Sequence, residues 1–159
     1  MFETLDTIDW ASLQGCYGPA TDVPHLLRAM LSPVAEIRAA ARADFVSMVW
    51  HQGSIYEASP IVIPFLFELI ENPQVENKTE LAIILALLAD SVPYLEGERT
   101  DAKNEEMWRL SFAKEGKDFD REARREVEWV AETKKAVGVK LDLLLPYHPG
   151  KHSTHYKQR

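Results

Sequence analysis

Two stretches of sequence that repeat at a spacing of 40 residues decide the fold. "DVPHLLRAMLSP" at residues 22–33 lines up with "VIPFLFELIENP" at residues 62–73. Pro24 falls on Pro64, and apolar residues fall on apolar residues along the rest of the match. Repetition at such a period is typical of proteins built from stacked, similar units. The sequence therefore predicts an array of repeats.

Each copy of the repeat has the apolar spacing of two successive amphipathic helices. In the first copy, one helix follows Asp22 and ends before Pro33, and a second covers about residues 34–50. In the second copy, one helix begins at Ser59 and its partner covers about residues 77–90. The residues predicted to be buried are Val23, Leu26, Leu27, Met30, Leu31, Ile37, Ala41, Phe45, Met48, Ile63, Leu66, Phe67, Ile70, Leu81, Ile84, Leu85 and Leu88.

The segments outside the two copies are less regular. "IDWASLQGCYGPA" at residues 8–20 predicts a brief helix that caps the stack, with Trp10 and Leu13 facing inward. Polar and acidic residues at 94–106 predict a loop or an insertion between repeats, and a short helix is expected at residues 107–115. A longer helix is expected at residues 119–137, with its inner face made by Phe119, Ala123, Val127 and Val130.

The period and the proline positions resemble those of HEAT repeats, which are helix–turn–helix units of about this length. More closely, Trp10, Leu13 and the strings "YGPATDVPHLL", "HQGSIYEAS" and "PFLFELIENP" are similar to the start of a group of small bacterial HEAT-repeat proteins. The resemblance covers about residues 8–90. It implies an all-α protein, a short α-solenoid of HEAT-like helical hairpins, and a role in binding. It carries over no catalytic residue, because most of that group has no assigned activity.

The resemblance and the pattern together give a domain organisation. The expected units are a single HEAT-like domain over residues 1–150, repeats at about 20–53 and 58–90, a charged insertion at about 94–106, a partial repeat with an opening helix at 137–149, and a flexible basic tail at 150–159.

Charge is distributed unevenly along the chain. Residues 1–90 contain 12 Asp and Glu against 4 Lys and Arg, whereas residues 91–159 contain 13 against 14. An acidic surface repels nucleic acid, whose phosphates bind clustered basic residues, and attracts basic proteins. The charge pattern therefore argues against a nucleic-acid ligand and favours a basic protein partner, although the same acidity could serve solubility alone.

The remaining composition indicates a cytoplasmic protein. The longest apolar run, Leu81 to Ala89, is too short to span a bilayer, and the N-terminus lacks the features of a secretory signal. Cys16 is the single cysteine, so no internal disulfide can form, and a free thiol suits a reducing compartment. No membrane association is expected.

Polar residues in "HQGSIYEA" are the first candidates for a binding site. His51, Gln52, Tyr56 and Glu57 fall between the two helix pairs, where neighbouring repeats would present them along one ridge. The alternative is structural: His51 caps a helix, Gly53 makes a left-handed turn, and Tyr56 packs beneath the loop.

Two further candidates lie in the second half of the chain. Trp108, in a charged context, is expected to be partly exposed and adds a candidate binding residue. The tail contains three histidines at helical spacing, His148, His152 and His155. Pro149 and Gly150 would interrupt a helix there, and the tail has no Asp, Glu or Cys that could complete a metal site. No metal, cofactor or catalytic residue is therefore predicted.

These observations predict a non-enzymatic protein–protein binding module. A toxin-neutralising or adaptor protein with an acidic helical surface is the concrete form. The alternative is a HEAT-like enzyme such as a bilin lyase or a DNA glycosylase, since fold does not determine activity. A third possibility is a structural fragment of a larger repeat array, whose open C-terminal end would pair with a second copy to form a homo-oligomer.

Overall fold

A computed structural model describes residues 1–147 and shows a mostly helical chain. These residues form seven α-helices: α1 Val23–Ala29, α2 Ala35–Val49, α3 Ala58–Glu71, α4 Lys78–Asp90, α5 Tyr94–Glu98, α6 Ala102–Lys114 and α7 Phe119–Gly138. They also form two short antiparallel hairpins, β1 Gln14–Gly15 with β2 Gly18–Pro19 and β3 Trp50–His51 with β4 Ser54–Ile55. Short 3-10 helices cover Leu5–Thr7 and Leu141–Tyr147. The prediction of an all-α protein is confirmed, with the two hairpins as additions.

Each hairpin stands directly before a pair of packed helices. The first hairpin precedes α1 and α2, and the second precedes α3 and α4. The turn of the second hairpin has Gln52 at φ 50° and Gly53 at φ 90°. Positive φ at both central residues is the signature of a tight hairpin turn, and glycine adopts it without a steric penalty. The left-handed turn predicted at Gly53 is confirmed, within a hairpin that the sequence did not predict.

The two hairpin–helix–helix units differ in their first helix, since α1 has 7 residues and α3 has 14. The hairpin registers lie 36 residues apart, whereas the matching prolines lie 40 residues apart. The four additional residues of the second unit precede the proline, since Pro24 is the second residue of α1 and Pro64 is the seventh residue of α3. Pro24 therefore lies in the first turn of α1, while Pro64 lies inside α3 with its ring exposed.

Helix α3 forms the centre of the core. It packs against α4 on one side and α7 on another. A helix that is apolar around most of its circumference belongs in a core. Ten of its residues are buried, namely Ala58, Ser59, Pro60, Val62, Ile63, Phe65, Leu66, Phe67, Leu69 and Ile70. The inner faces predicted for α3 and α4 are confirmed.

The inner face predicted for α2 is partly wrong. Ile37 is 48% exposed, whereas Arg38 and Arg42 are buried. Arg38 forms an ion pair with Glu76, and Arg42 forms one with a glutamate of α4. Long arginine stems cover apolar surface while their guanidinium groups reach carboxylates at its edge. Leu31, two residues after the end of α1, is likewise exposed, and Met48 of α2 is only half-buried.

The N-terminal segment was predicted as a helix and is instead a 3-10 turn followed by the first hairpin. Gly15, Gly18 and Pro19 fall inside it, and these residue types disfavour an α-helix. Trp10 is buried as expected, and its indole Nε1 donates to the Leu5 carbonyl oxygen at 2.8 Å.

The prediction of a loop at residues 94–106 is also wrong, since this stretch contains α5 and the start of α6, whereas an insertion between repeats stays a prediction. Asp101 caps α6 by accepting hydrogen bonds from the backbone N–H groups of Lys103 and Asn104. The short helix expected at residues 107–115 therefore begins earlier, at Ala102. The long helix predicted at residues 119–137 is confirmed as α7.

The opening α-helix of a partial repeat, predicted at residues 137–149, is not observed as far as residue 147. Helix α7 instead runs to Gly138, and a 3-10 helix follows it. Pro149 and the tail residues 150–159, with His152 and His155, lie outside the described residues, as does His148. Between residues 1 and 147, no helix is both long enough and apolar enough to cross a membrane.

Candidate functional site

A cleft of about 910 Å³ lies between the two hairpins and the helices α5, α6 and α7. One wall is formed by hairpin residues such as Cys16 and Tyr56, and the other by residues of α7. Four aromatic residues line it, namely Tyr56, Tyr94, Phe112 and Trp129. Seven charged residues line it as well, namely Glu57, Lys117, Asp118, Arg121, Glu122, Arg125 and Glu126. The cleft thus combines aromatic surface with charges of both signs.

A salt bridge joins the second hairpin to α7 across this cleft. Arg125 Nη2 donates to Glu57 Oε1 at 2.7 Å, and the second Glu57 oxygen accepts from the backbone N–H of Gln14 at 3.2 Å. The Arg125 guanidinium also lies 5.0 Å from the ring centroid of Trp129. A single guanidinium is therefore held by a carboxylate and an aromatic face.

Glu126 is the most buried charged residue of the cleft, at 5% exposure. Its Oε2 accepts a hydrogen bond from the backbone N–H of Leu95 at 2.8 Å, which ties α7 to the first turn of α5. Burial raises the pKa of the Glu126 carboxyl, partly offset by hydrogen bonds from the backbone of Leu95 and Tyr94. Glu126 occupies the inward position of α7 at which Val127 was predicted; Val127 is 39% exposed.

Helices α5 and α6 are held against α7 by charged contacts around Phe119. Asp120 accepts from Arg99 Nη2 at 2.8 Å and from Arg109 Nη1 at 2.7 Å. Both guanidinium groups lie over the Phe119 ring, at 5.3 and 5.0 Å from its centroid. The strong hydrogen bonds from Arg109 keep the pKa of Asp120 below its usual value. These contacts place Tyr94 and Phe112 at the cleft.

The two hairpins lie side by side. The backbone N–H of Cys16 donates to the Met48 carbonyl oxygen at 2.8 Å. At their outer ends, the Tyr17 hydroxyl lies 3.4 Å from His51 Nδ1, and the two rings meet edge to face. Tyr17 is 76% exposed. Together the hairpins present an exposed aromatic edge beside the cleft.

Tyr56 lies where the second hairpin meets α3, and its ring is half-buried. Burial raises the pKa of its phenol, and a hydrogen bond with the Cys16 thiol raises it further. A phenol with a raised pKa keeps its proton, so Tyr56 presents a hydroxyl group and an aromatic ring to the cleft.

The structure brings together four of the five candidates from the sequence. Tyr56 and Glu57 line the cleft, while His51 and the exposed Gln52 lie at the end of the second hairpin beside it. Trp108 is half-buried as predicted, yet it stands behind the cleft wall. Its ring packs against Tyr94 and Phe112, and its Nε1 donates to Glu98 Oε2 at 3.3 Å.

Three residues that contribute to this surface are not among the candidates predicted from the sequence. Arg125 and Glu126 lie in a stretch dense in charge, "REARREVEW", and nothing in that stretch distinguishes the inward charges from the exposed ones. Tyr17 was assigned to a capping helix. The adjacent Gly18 and Pro19 were the available signal for a turn there.

Within residues 1–147, His, Cys, Asp and Glu side chains do not gather in groups of three that could hold a metal ion. The cleft offers carboxylates, aromatic faces and guanidinium groups, which are groups that recognise a ligand through charge and stacking.

Comparisons with protein-family models, with curated proteins and with solved structures gave no match. The inference of function therefore rests on the geometry of the cleft and the hairpins.

Proposed function

We propose that the protein is a non-enzymatic protein–protein binding module, and that the paired hairpins and the adjoining cleft form its binding surface. The observation that carries the proposal is the convergence of Glu57 and Arg125, 68 residues apart, on a cleft with aromatic walls. Clefts of this kind, with a few fixed polar groups on a largely preformed wall, are the usual place of ligand recognition.

The proposal includes a short HEAT-like solenoid. Its support is the order of elements, because each hairpin is followed by two helices that pack against each other, and the order occurs twice in succession. Stacked units place equivalent loops along one edge. In such an arrangement the hairpin ends form a continuous ridge.

The exposed ends of the hairpins are suited to contact a partner. Tyr17 is largely exposed, and tyrosine is among the residue types that contribute most to binding at protein interfaces. Gln52 is exposed, and its neighbour His51, which contacts Tyr17, is half-buried. Tyr17 and Gln52 lie in the tight turns of the hairpins, and the paired strands on either side restrict the backbone there, which reduces the entropy that binding would cost.

The proposed partner is basic. Residues 1–90 have 12 acidic against 4 basic residues, and three of those basic residues are already engaged in ion pairs. Arg28 contacts Asp6 at 2.6 Å, while Arg38 and Arg42 contact glutamates of the second unit. The remaining acidic side chains favour a positively charged surface. A toxin-neutralising or adaptor protein that covers a basic partner is the role we propose.

The test is capture of a partner from native cell extract at low and moderate salt, with paired variants. Tyr17→Ala/Gln52→Ala alters the hairpin ends, and Ile37→Ala/Ser47→Ala alters exposed, uncharged residues of α2 as the control. We expect a partner that wild type and control retain and that the hairpin variant loses. Recovery of no partner, or equal recovery by both variants, would contradict the proposal.

A further inference from the structure

We infer that the cleft receives an arginine side chain of the partner, with Glu126 as its buried counter-ion and the rings of Tyr56 and Tyr94 beside it. This inference rests on the proposed function and names the chemistry that the cleft recognises. Its basis is a buried carboxylate that faces an open cleft without a cation of its own.

Glu126 is almost fully buried, yet its side chain borders the cleft. Among residues 1–147, no lysine or arginine forms an ion pair with it, and its carboxylate is held only by backbone N–H groups of α5, from Leu95 at 2.8 Å and from Tyr94. A carboxylate removed from water without an opposite charge is costly. A cation that enters the cleft would offset that cost, so cation binding beside Glu126 would be favourable.

The other charged residues of the cleft form ion pairs or hydrogen bonds, or are exposed to water. Arg125 contacts Glu57 at 2.7 Å and Glu122 at 3.4 Å. Lys117 contacts Glu115 at 2.8 Å, outside the cleft lining, and Arg121 is exposed to water. Asp118 accepts from the backbone N–H at the start of α7. Glu126 alone combines full burial with the lack of a positive partner.

The cleft already shows how it holds a guanidinium. Arg125 lies between a carboxylate, Glu57, and an aromatic face, Trp129. Around Glu126 the same two elements recur, because the side chains of Tyr56 and Tyr94 line the same cleft as its carboxylate. Planar guanidinium groups stack on aromatic rings and bind carboxylates through two N–H groups, which favours arginine over lysine.

Burial also raises the pKa of Glu126, which agrees with a carboxylate that lacks a counter-ion. An opposite charge within a few ångströms favours the ionised form. Cation binding would therefore lower this pKa, and the affinity for a cation would increase as Glu126 becomes ionised.

The probes are Nα-acetyl-arginine amide and its neutral analogue Nα-acetyl-citrulline amide, titrated separately into the full chain. Backbone and indole N–H signals are followed by NMR, with Leu95 and Trp129 as reporters on either side of Glu126. We expect saturable shifts at both reporters with the arginine amide and none with the citrulline amide. The comparison uses the wild-type chain, so it does not depend on whether a variant folds.

Glu126→Gln keeps an acceptor for the Leu95 N–H and removes the charge. We expect the arginine amide to bind this variant at least about tenfold more weakly. Glu128→Gln, an exposed change on the same helix, is the control and should bind like wild type.

Equal shifts with both amides, no shift at either reporter, or unchanged affinity of Glu126→Gln would overturn the inference. The proposed function is tested separately, because loss of the captured partner by the Tyr17→Ala/Gln52→Ala variant does not depend on Glu126. Capture that requires the hairpins but is indifferent to Glu126→Gln would leave the binding function standing and remove the arginine site.

Discussion

The contact between Glu57 and Arg125 joins the second hairpin to α7, and we predict that it contributes measurably to stability. The two charged atoms are 2.7 Å apart, and the side chains of Glu57 and Arg125 are 25% and 31% exposed. Exposed ion pairs contribute about 0–1 kcal/mol, whereas removal of one partner of a buried pair costs about 3–5 kcal/mol. Intermediate burial places the coupling between Glu57 and Arg125 at about 1–2 kcal/mol.

The same arginine provides an internal comparison. Arg125 also contacts Glu122, three residues earlier on α7, at the longer distance of 3.4 Å. Helical pairs at this spacing contribute about 0.2–0.5 kcal/mol. The contact with Glu57 should therefore be clearly the stronger of the two.

Two double-mutant cycles measured by urea unfolding test this expectation. One cycle uses Glu57→Gln and Arg125→Gln, and the other uses Glu122→Gln with the same Arg125→Gln. The reasoning would be refuted by a Glu57–Arg125 coupling within about 0.3 kcal/mol of zero, or by one no larger than the Glu122–Arg125 coupling.

Three further predictions concern the cleft, the core and the second hairpin. Burial raises the pKa of Glu126 above its unfolded value of about 4.3, so the folded protein binds this proton more tightly than the unfolded chain does. The protonated Glu126 carboxyl therefore contributes fully to the free energy of unfolding below that pH, and this contribution is lost as the pH rises through the folded pKa. In Glu126→Gln, the free energy of unfolding measured with urea should depend less on pH over this range. Phe45→Ala, at a fully buried position, should lower the free energy of unfolding by about 3–5 kcal/mol, whereas Ile37→Ala on the same helix should change it by under about 0.5 kcal/mol. Gly53→Ala should cost about 1 kcal/mol because its φ is 90°, while Gly138→Ala, in open space without positive φ, should change stability by under about 0.5 kcal/mol.

A specific outcome would contradict each of these predictions. A pH dependence unchanged in Glu126→Gln would mean that this carboxyl titrates as it does in the unfolded chain. Equal losses for Phe45→Ala and Ile37→Ala would contradict the orientation of α2. Thermal unfolding that does not distinguish Gly53→Ala from Gly138→Ala would contradict the left-handed turn.

The sequence predicted the helices of the repeats well because their apolar residues keep a regular spacing. Leu66 and Leu85 are fully buried on the faces expected for them, and α7 has the predicted length. Such faces are set by a large burial energy, so their pattern persists in the sequence. The all-α class was predictable for this reason.

The hairpins and the charged inner positions were less predictable. Strands of two residues give too short a pattern for alternation to be recognised, so Gln14–Gly15 read as part of a helix. Arg38 and Glu126 are buried although charged residues are usually exposed, and only the three-dimensional positions of Glu76 and Leu95 explain them. The cleft was therefore identified only in part, through Tyr56 and Glu57.

The most direct test of the binding surface is site-specific photo-crosslinking in native cell extract. A photoreactive phenylalanine analogue replaces Tyr17 at the exposed end of the first hairpin, and in a second protein it replaces Asp44 on the outer face of α2. The account predicts a defined crosslinked protein from position 17 and none from position 44. A crosslink from position 44 alone, or the absence of any crosslink from position 17, would contradict it.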